Sequence, residues 1–96
     1  MKREEIVVFL KRFKTMKGHE YQIRRIGLFG SAARDRMSPQ SDIDVVVELE
    51  RQDLFALIGI KQDLEEQLQR QVDVVSYRER MNRFLRSRIE KEAIYV

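Results

Sequence analysis

The pair Gly30-Ser31, followed after ten residues by Asp42-Ile43-Asp44, sets a turn that can approach an anion just ahead of two carboxylates. A third acid, Asp73, stands about thirty positions on in Val72-Asp73-Val74-Val75. On a strand, Asp42 and Asp44 point the same way, with Cα atoms about 6.5–7 Å apart. Carboxylates that close repel and raise each other's pKa, and a divalent cation between them removes that cost. Mg2+ favours one or two carboxylates plus waters and substrate phosphates, so these acids are candidate metal ligands. If Asp73 sits on the strand beside them, the layout suits two ions about 3.5–4 Å apart, which activate an attacking oxygen and steady a leaving group. The plainer reading is three solvent-facing strand acids, against which stands the depletion of Asp in strands.

Gly30 lets the backbone come close to a phosphate, and free N–H groups at a helix start favour one. The Ser31 hydroxyl can donate to a phosphate oxygen. Taken alone, Gly-Ser is an ordinary turn with a serine cap, and no Walker-type Gly-x4-Gly-Lys-Ser/Thr occurs. Its spacing to the Asp pair is what gives it meaning. Arg34 and Arg36 follow the turn, and either could pair with a triphosphate. Ser41 could fix the loop before Asp42 through its side chain. Arg78, Arg80, Arg83, Arg86 and Arg88 alternate with apolar residues near the end of the chain, which reads as a solvated helix face. His19 has no second His or Cys at metal spacing.

The elements that must position these residues follow from periodicity. Residues 2–17 read as an amphipathic helix on Ile6, Phe9, Leu10 and Phe13, stopped by Gly18. Residues 22–29 read as a strand, Gly30-Ser31 as a turn, and Ser31 to about Arg36 as a short helix. Met37 to Ser41 is a loop with Ser38-Pro39 as its breaker. In the strand 42–49, Ile43, Val45, Val47 and Leu49 share one face, and Asp42, Asp44, Val46 and Glu48 the other. A helix over 53–69 carries Leu57, Ile60, Leu64 and Leu68 in one stripe. A strand over 72–76 and a helix over 78–93, packed through Met81, Phe84, Leu85 and Ile89, complete the order. Ile94-Tyr95-Val96 is a short strand or an apolar tail. The expected architecture is α/β (α+β): a small mixed β-sheet with helices packed on one face. Asp42 and Asp44 would then lie on the other face, wet or covered by a ligand or partner.

Ninety-six residues fit a single domain, 1–96. With about 60–65% of its unfolded surface buried, the core is thin and a bound partner would add stability. The apolar share of 43% suffices for a globular fold, and the charged share of 36% requires most unpacked helix faces to be charged. A net charge of +3, from 19 basic and 16 acidic residues, suits an anionic ligand but argues against direct nucleic-acid binding. No cysteine is present, which excludes disulfides and thiolate metal sites. No leader or membrane-length apolar run is seen, so the chain reads as soluble and cytoplasmic.

The string Gly-Leu-Phe-Gly-Ser-Ala-Ala-Arg-Asp, then Ser-Asp-Ile-Asp-Val-Val-Val, resembles the nucleotidyltransferase superfamily of the DNA polymerase β type. More closely, it resembles the minimal nucleotidyltransferase (MNT) antitoxins that accompany HEPN-domain toxins, along nearly the whole chain. The resemblance implies the minimal nucleotidyltransferase fold. It implies that Gly30 and Ser31, with Arg34 and Ser41 as further candidates, hold the nucleotide triphosphate. It also implies that Asp42, Asp44 and Asp73 form the catalytic, Mg2+-binding triad, with two ions. The implied reaction moves AMP from ATP to a hydroxyl, a tyrosine of a cognate HEPN ribonuclease toxin, and so silences the toxin. Asp35 departs from the family's usual Gly after the motif Arg and brings negative charge towards the phosphates.

Length points the same way: with the nucleotidyltransferase core assigned, the acceptor should be a macromolecule that brings its own surface. The competing reading is a non-catalytic antitoxin that blocks its partner by covering it, with the acids as contacts.

Overall fold

The computed structural model describes residues 1–34, 36 and 41–96, so Asp35 and positions 37–40 of the expected loop lie outside the described residues. Its elements are α1 (Arg3–Lys17), β1 (Ile23–Phe29), β2 (Ile43–Leu49), α2 (Leu54–Leu68), β3 (Val72–Ser76), α3 (Arg83–Glu92) and β4 (Ile94–Tyr95). The strands form one mixed sheet in the order β3-β2-β1-β4. β2 pairs antiparallel with β1 and parallel with β3, and β4 pairs antiparallel with β1.

The alternation read from β2 is what the sheet shows. Ile43, Val45, Val47 and Leu49 face the larger core, with Ile6, Leu10 and Phe13 of α1 and Ala56, Ile60, Leu64 and Leu68 of α2. α1 ends at Gly18, whose N–H donates to the Lys14 carbonyl. α2 starts at Asp53, whose carboxylate accepts from the N–H groups of Phe55 and Ala56 at 3.0 and 3.2 Å, a side-chain N-cap. The terminal Ile-Tyr is a strand: Tyr95 sits opposite Gly27, where a Cβ would come within 2.9 Å of the tyrosine ring.

The mixed sheet is as expected, and α1 and α2 share one face, but α3 lies on the other. Phe29, Val46 and Ile89 form a second buried cluster there, with Val75, Tyr77, Met81, Leu85, Ala93 and Tyr95 packed around it. Val46 explains the need. It lies on the acidic face, yet it is fully buried along with its neighbours Val45 and Val47. A run of three consecutive valines marks a strand covered on both sides. At the far end of this face Arg25 lies over the Tyr95 ring, 4.4 Å from its centroid, and pairs with Glu48 at 2.7 Å.

α3 starts later than the expected residue 78, because Asn82 caps it by accepting from the Leu85 N–H at 3.0 Å. Met81, Leu85 and Ile89 pack as expected, but Phe84 does not; it is 80% exposed. Leu85 and Ile89 are the inward i, i+4 pair of α3, with Met81 just ahead of the helix, and Phe84 is not among the side chains packed there.

Because so few side chains hold α3, Ile89→Ala should cost about 2–4 kcal/mol of stability in urea denaturation. A loss below about 1 kcal/mol would show that the second cluster does not secure the helix.

Candidate functional site

The acids meet through strand register. Asp44, second residue of β2, is paired with Asp73 of the parallel neighbour β3, so the two carboxylates leave the sheet side by side on one face. Asp42 lies one alternation earlier on the same face, just before β2. Its strand entry is fixed by the Ile43 N–H donating to the Gln71 carbonyl at 3.0 Å, and by Arg70 donating to the Ser41 carbonyl at 2.6 Å. The Ser41 carbonyl is thereby held at the entry to β2. Asp42 and Asp73 are exposed, while Asp44 is half-buried.

The turn arrives on the other side of Asp44. Phe29 is its antiparallel partner on β1, and Gly30 follows with φ +74°. A Cβ on Gly30 would run into the Asp44 carboxylate. Only glycine combines that backbone conformation with that contact. Ala32 and Ala33 are buried in the larger core, and the Ala33 carbonyl accepts from Arg3 at 3.3 Å. Two small buried residues thus pin the turn and leave Ser31 partly exposed beside Gly30.

The expected short helix from Ser31 is instead a set of hydrogen-bonded turns. The Arg34 N–H reaches Gly30 at 3.2 Å, but the Arg36 N–H reaches back five residues to Ser31 at 2.8 Å, which closes the turn rather than extending a helix.

The electrostatics centre on Asp44. Burial pushes its carboxyl above the ordinary range, Asp73 and Asp42 push it further, and the guanidiniums of Arg88 and Arg34 pull it partly back. The sequence pointed to Arg34. It did not point to Arg88, which read as solvated surface. Nor did it point to Glu92, which pairs with Arg34 at 2.9 Å and lies 4.0 Å from Arg88. Arg88 and Glu92 stand four residues apart on α3, so their side chains share one edge of the helix beside its buried residues Leu85 and Ile89.

Hard carboxylate oxygens around a half-buried, charge-raised Asp44 are suitable donors for Mg2+. Among the described residues, no three His, Cys, Asp or Glu side chains stand together as a ready metal cage. The strand register fixes the Asp44–Asp73 pair, and Asp42 acts on Asp44 through its charge. Among the described residues, no helix is long and apolar enough to cross a membrane.

A sheet whose adjacent strands carry paired acids, beside a Gly-Ser turn, defines a nucleotidyl-transfer scaffold, and comparison with known proteins agrees. Residues 6–96 match the nucleotidyltransferase domain family. A candidate protein adenylyltransferase of Methanocaldococcus jannaschii is 36% identical, covering 100% of this chain and 94% of that protein. The solved structure of a candidate minimal nucleotidyltransferase superposes with TM-score 0.81 at 29% identity, covering 98% of this chain and 95% of that one. The complex of a tri-AMPylated Shewanella oneidensis HEPN toxin with an MNT antitoxin gives TM-score 0.63 at 24% identity, over 90% of this chain and 68% of that one. The chain belongs to the nucleotidyltransferase family, as a minimal nucleotidyltransferase of the protein-adenylyltransferase type.

Two outcomes follow from this geometry. Gly30→Ala should destabilise the fold by more than about 1 kcal/mol, since it adds left-handed strain to a collision with Asp44. Chemical denaturation checks it. Asp44 has a raised folded pKa, so its charge weakens the metal-free fold as pH rises through that pKa. Without added metal, Asp44→Asn should therefore melt higher than the unaltered protein at pH 7. That advantage should vanish as pH falls through the ordinary carboxylate range; an equal melting temperature at pH 7 would contradict the charge argument.

Proposed function

We propose that this chain, 1–96 as one nucleotidyltransferase domain, transfers AMP from ATP to a tyrosine hydroxyl of a HEPN-type ribonuclease toxin in the cytoplasm and thereby neutralises it. The observation that carries this reading is the register that sets Asp44 beside Asp73, with the Gly30 turn pressed against Asp44. The fold shared with an MNT antitoxin complex that contains a tri-AMPylated HEPN toxin supports the choice of partner.

In this reading Gly30 and Ser31 receive the triphosphate through backbone N–H groups and the Ser31 hydroxyl. Arg34 adds charge-assisted bonds to its phosphates. Asp42, Asp44 and Asp73 would hold Mg2+, which supplies charge neutralisation on the phosphates and a lower pKa for the acceptor hydroxyl. The acceptor oxygen attacks the α-phosphorus in line, and the bond to the bridging oxygen breaks. Pyrophosphate leaves, and the hydroxyl proton passes to solvent beside Asp73. The protein's part is positioning and charge compensation rather than covalent chemistry.

The test is label transfer: α-labelled ATP, Mg2+, this protein and a HEPN-type toxin as acceptor. Label should appear on the partner and fall by at least about a hundredfold with Asp44→Asn, as expected when charge stabilisation of the transition state is removed. The blocking-module reading predicts the opposite: no label at any time, and neutralisation unchanged by Asp42→Asn or Asp44→Asn.

A further inference from the structure

We propose that Glu92 is a positioning residue of the nucleotide site: it holds the guanidiniums of Arg34 and Arg88 together at the rim of the acidic face, aimed at the β- and γ-phosphates of a bound triphosphate. This rests on the nucleotidyl-transfer reading.

The argument begins with where the three residues come from. Arg34 lies in the turn that starts at Gly30, Arg88 lies on α3, and Glu92 is the last residue of α3. Glu92 is the best anchored of them. The helix stands behind it, and β4 begins two residues later, hydrogen-bonded to β1. Its Oε1 accepts from Arg34 Nη1 at 2.9 Å. Its Oε2 is buried and has no hydrogen-bond partner among the described residues, while Arg88 Nη2 stands 4.0 Å away. One carboxylate thus faces two guanidiniums, with one bond made and one acceptor open.

Two cations brought together over a site repel, and an anion between them offsets that repulsion. Each arginine side chain loses rotamer freedom when it is fixed, so an arginine held in place beforehand binds phosphate better than a free one. Engaging one N–H of Arg34 leaves four of about five guanidinium donors for a ligand. Glu92 therefore need not compete with the phosphates. Both guanidiniums also act electrostatically on Asp44, which places them at the acid cluster rather than on a remote surface.

The experiment is calorimetric titration of Mg·AMP-PNP, and separately AMP, into the unaltered protein, Glu92→Gln, Glu92→Ala, Arg34→Ala and Arg34→Ala/Glu92→Ala. The Glu92 variants should bind AMP-PNP about tenfold more weakly, the loss expected for one charge-assisted bond. Their affinity for AMP, which lacks the β- and γ-phosphates, should change less than about twofold on the same reasoning. The double variant should lose less AMP-PNP affinity than the sum of the two single losses, because Glu92 acts in part through Arg34 and in part through Arg88. Unchanged AMP-PNP binding in both Glu92 variants, or equal losses for AMP and AMP-PNP, would overturn the proposal. Far-UV circular dichroism checks folding, and if Glu92→Ala unfolds, the near-isosteric Glu92→Gln decides. If the unaltered protein binds neither ligand, the nucleotide reading itself fails and takes this proposal with it. Binding by the unaltered protein with no change in the variants removes only the role of Glu92.

Discussion

Like charges carried on paired strands repel, and the mixed sheet forces that situation on Asp44. Its parallel neighbour is Asp73, Asp42 precedes it on the same face, and it is half out of water. No backbone adjustment relieves this, because the register that aligns the acids also aligns Val45 with Val74 and Ile43 with Val72 in the larger core. A one-residue slip would separate the acids but turn the valines to the wrong face. The hydrophobic pattern therefore enforces the electrostatic cost, and the surroundings of Asp44 can be understood as responses to it. Gly30 leaves room for the carboxylate, and two arginines supply opposing charge.

The two faces of the sheet divide the work. The larger core, with α1 and α2, fixes the strands and anchors the Gly30 turn through Ala32 and Ala33. The smaller one, under α3, covers Val46 and brings Arg88 and Glu92 to the acids. The same helix thus closes the hydrophobic surface and supplies charge to the site. Its inward pair Leu85 and Ile89, with Met81 just ahead of the helix, determines where its polar residues fall.

Much of this was legible in the residues. The strands and the first two helices followed from strict alternation and from i, i+3, i+4 spacing, which burial enforces directly. The acid positions followed from the same alternation, and a neighbouring strand for Asp73 was stated as a condition, whereas its parallel direction was not. The side chosen by α3 was not read, although Val46 between Val45 and Val47 carried the signal: an apolar residue on an otherwise acidic face needs a cover. Phe84 misled because composition cannot say which of several apolar residues on a short helix faces inward. Arg88 and Glu92 were missed for the same reason, since their role depends on a tertiary face rather than on local spacing. The turn after Gly30 was read as a helix because Ser31 is a good cap. The bond from the Arg36 N–H to Ser31 overrode that local preference.

The small second cluster has a kinetic meaning. Three buried side chains, Phe29, Val46 and Ile89, hold α3 to the sheet. Elements so lightly secured open before the rest of a molecule, and their amides exchange earliest. When α3 lifts, Arg88 and Glu92 leave with it, so the open form is also the one with the weakest hold on an anion. A ligand that binds only the closed form raises the cost of opening by mass action. Occupancy of the site would then be written into how long α3 resists a protease, and a chain of this size could register its nucleotide without any change of shape.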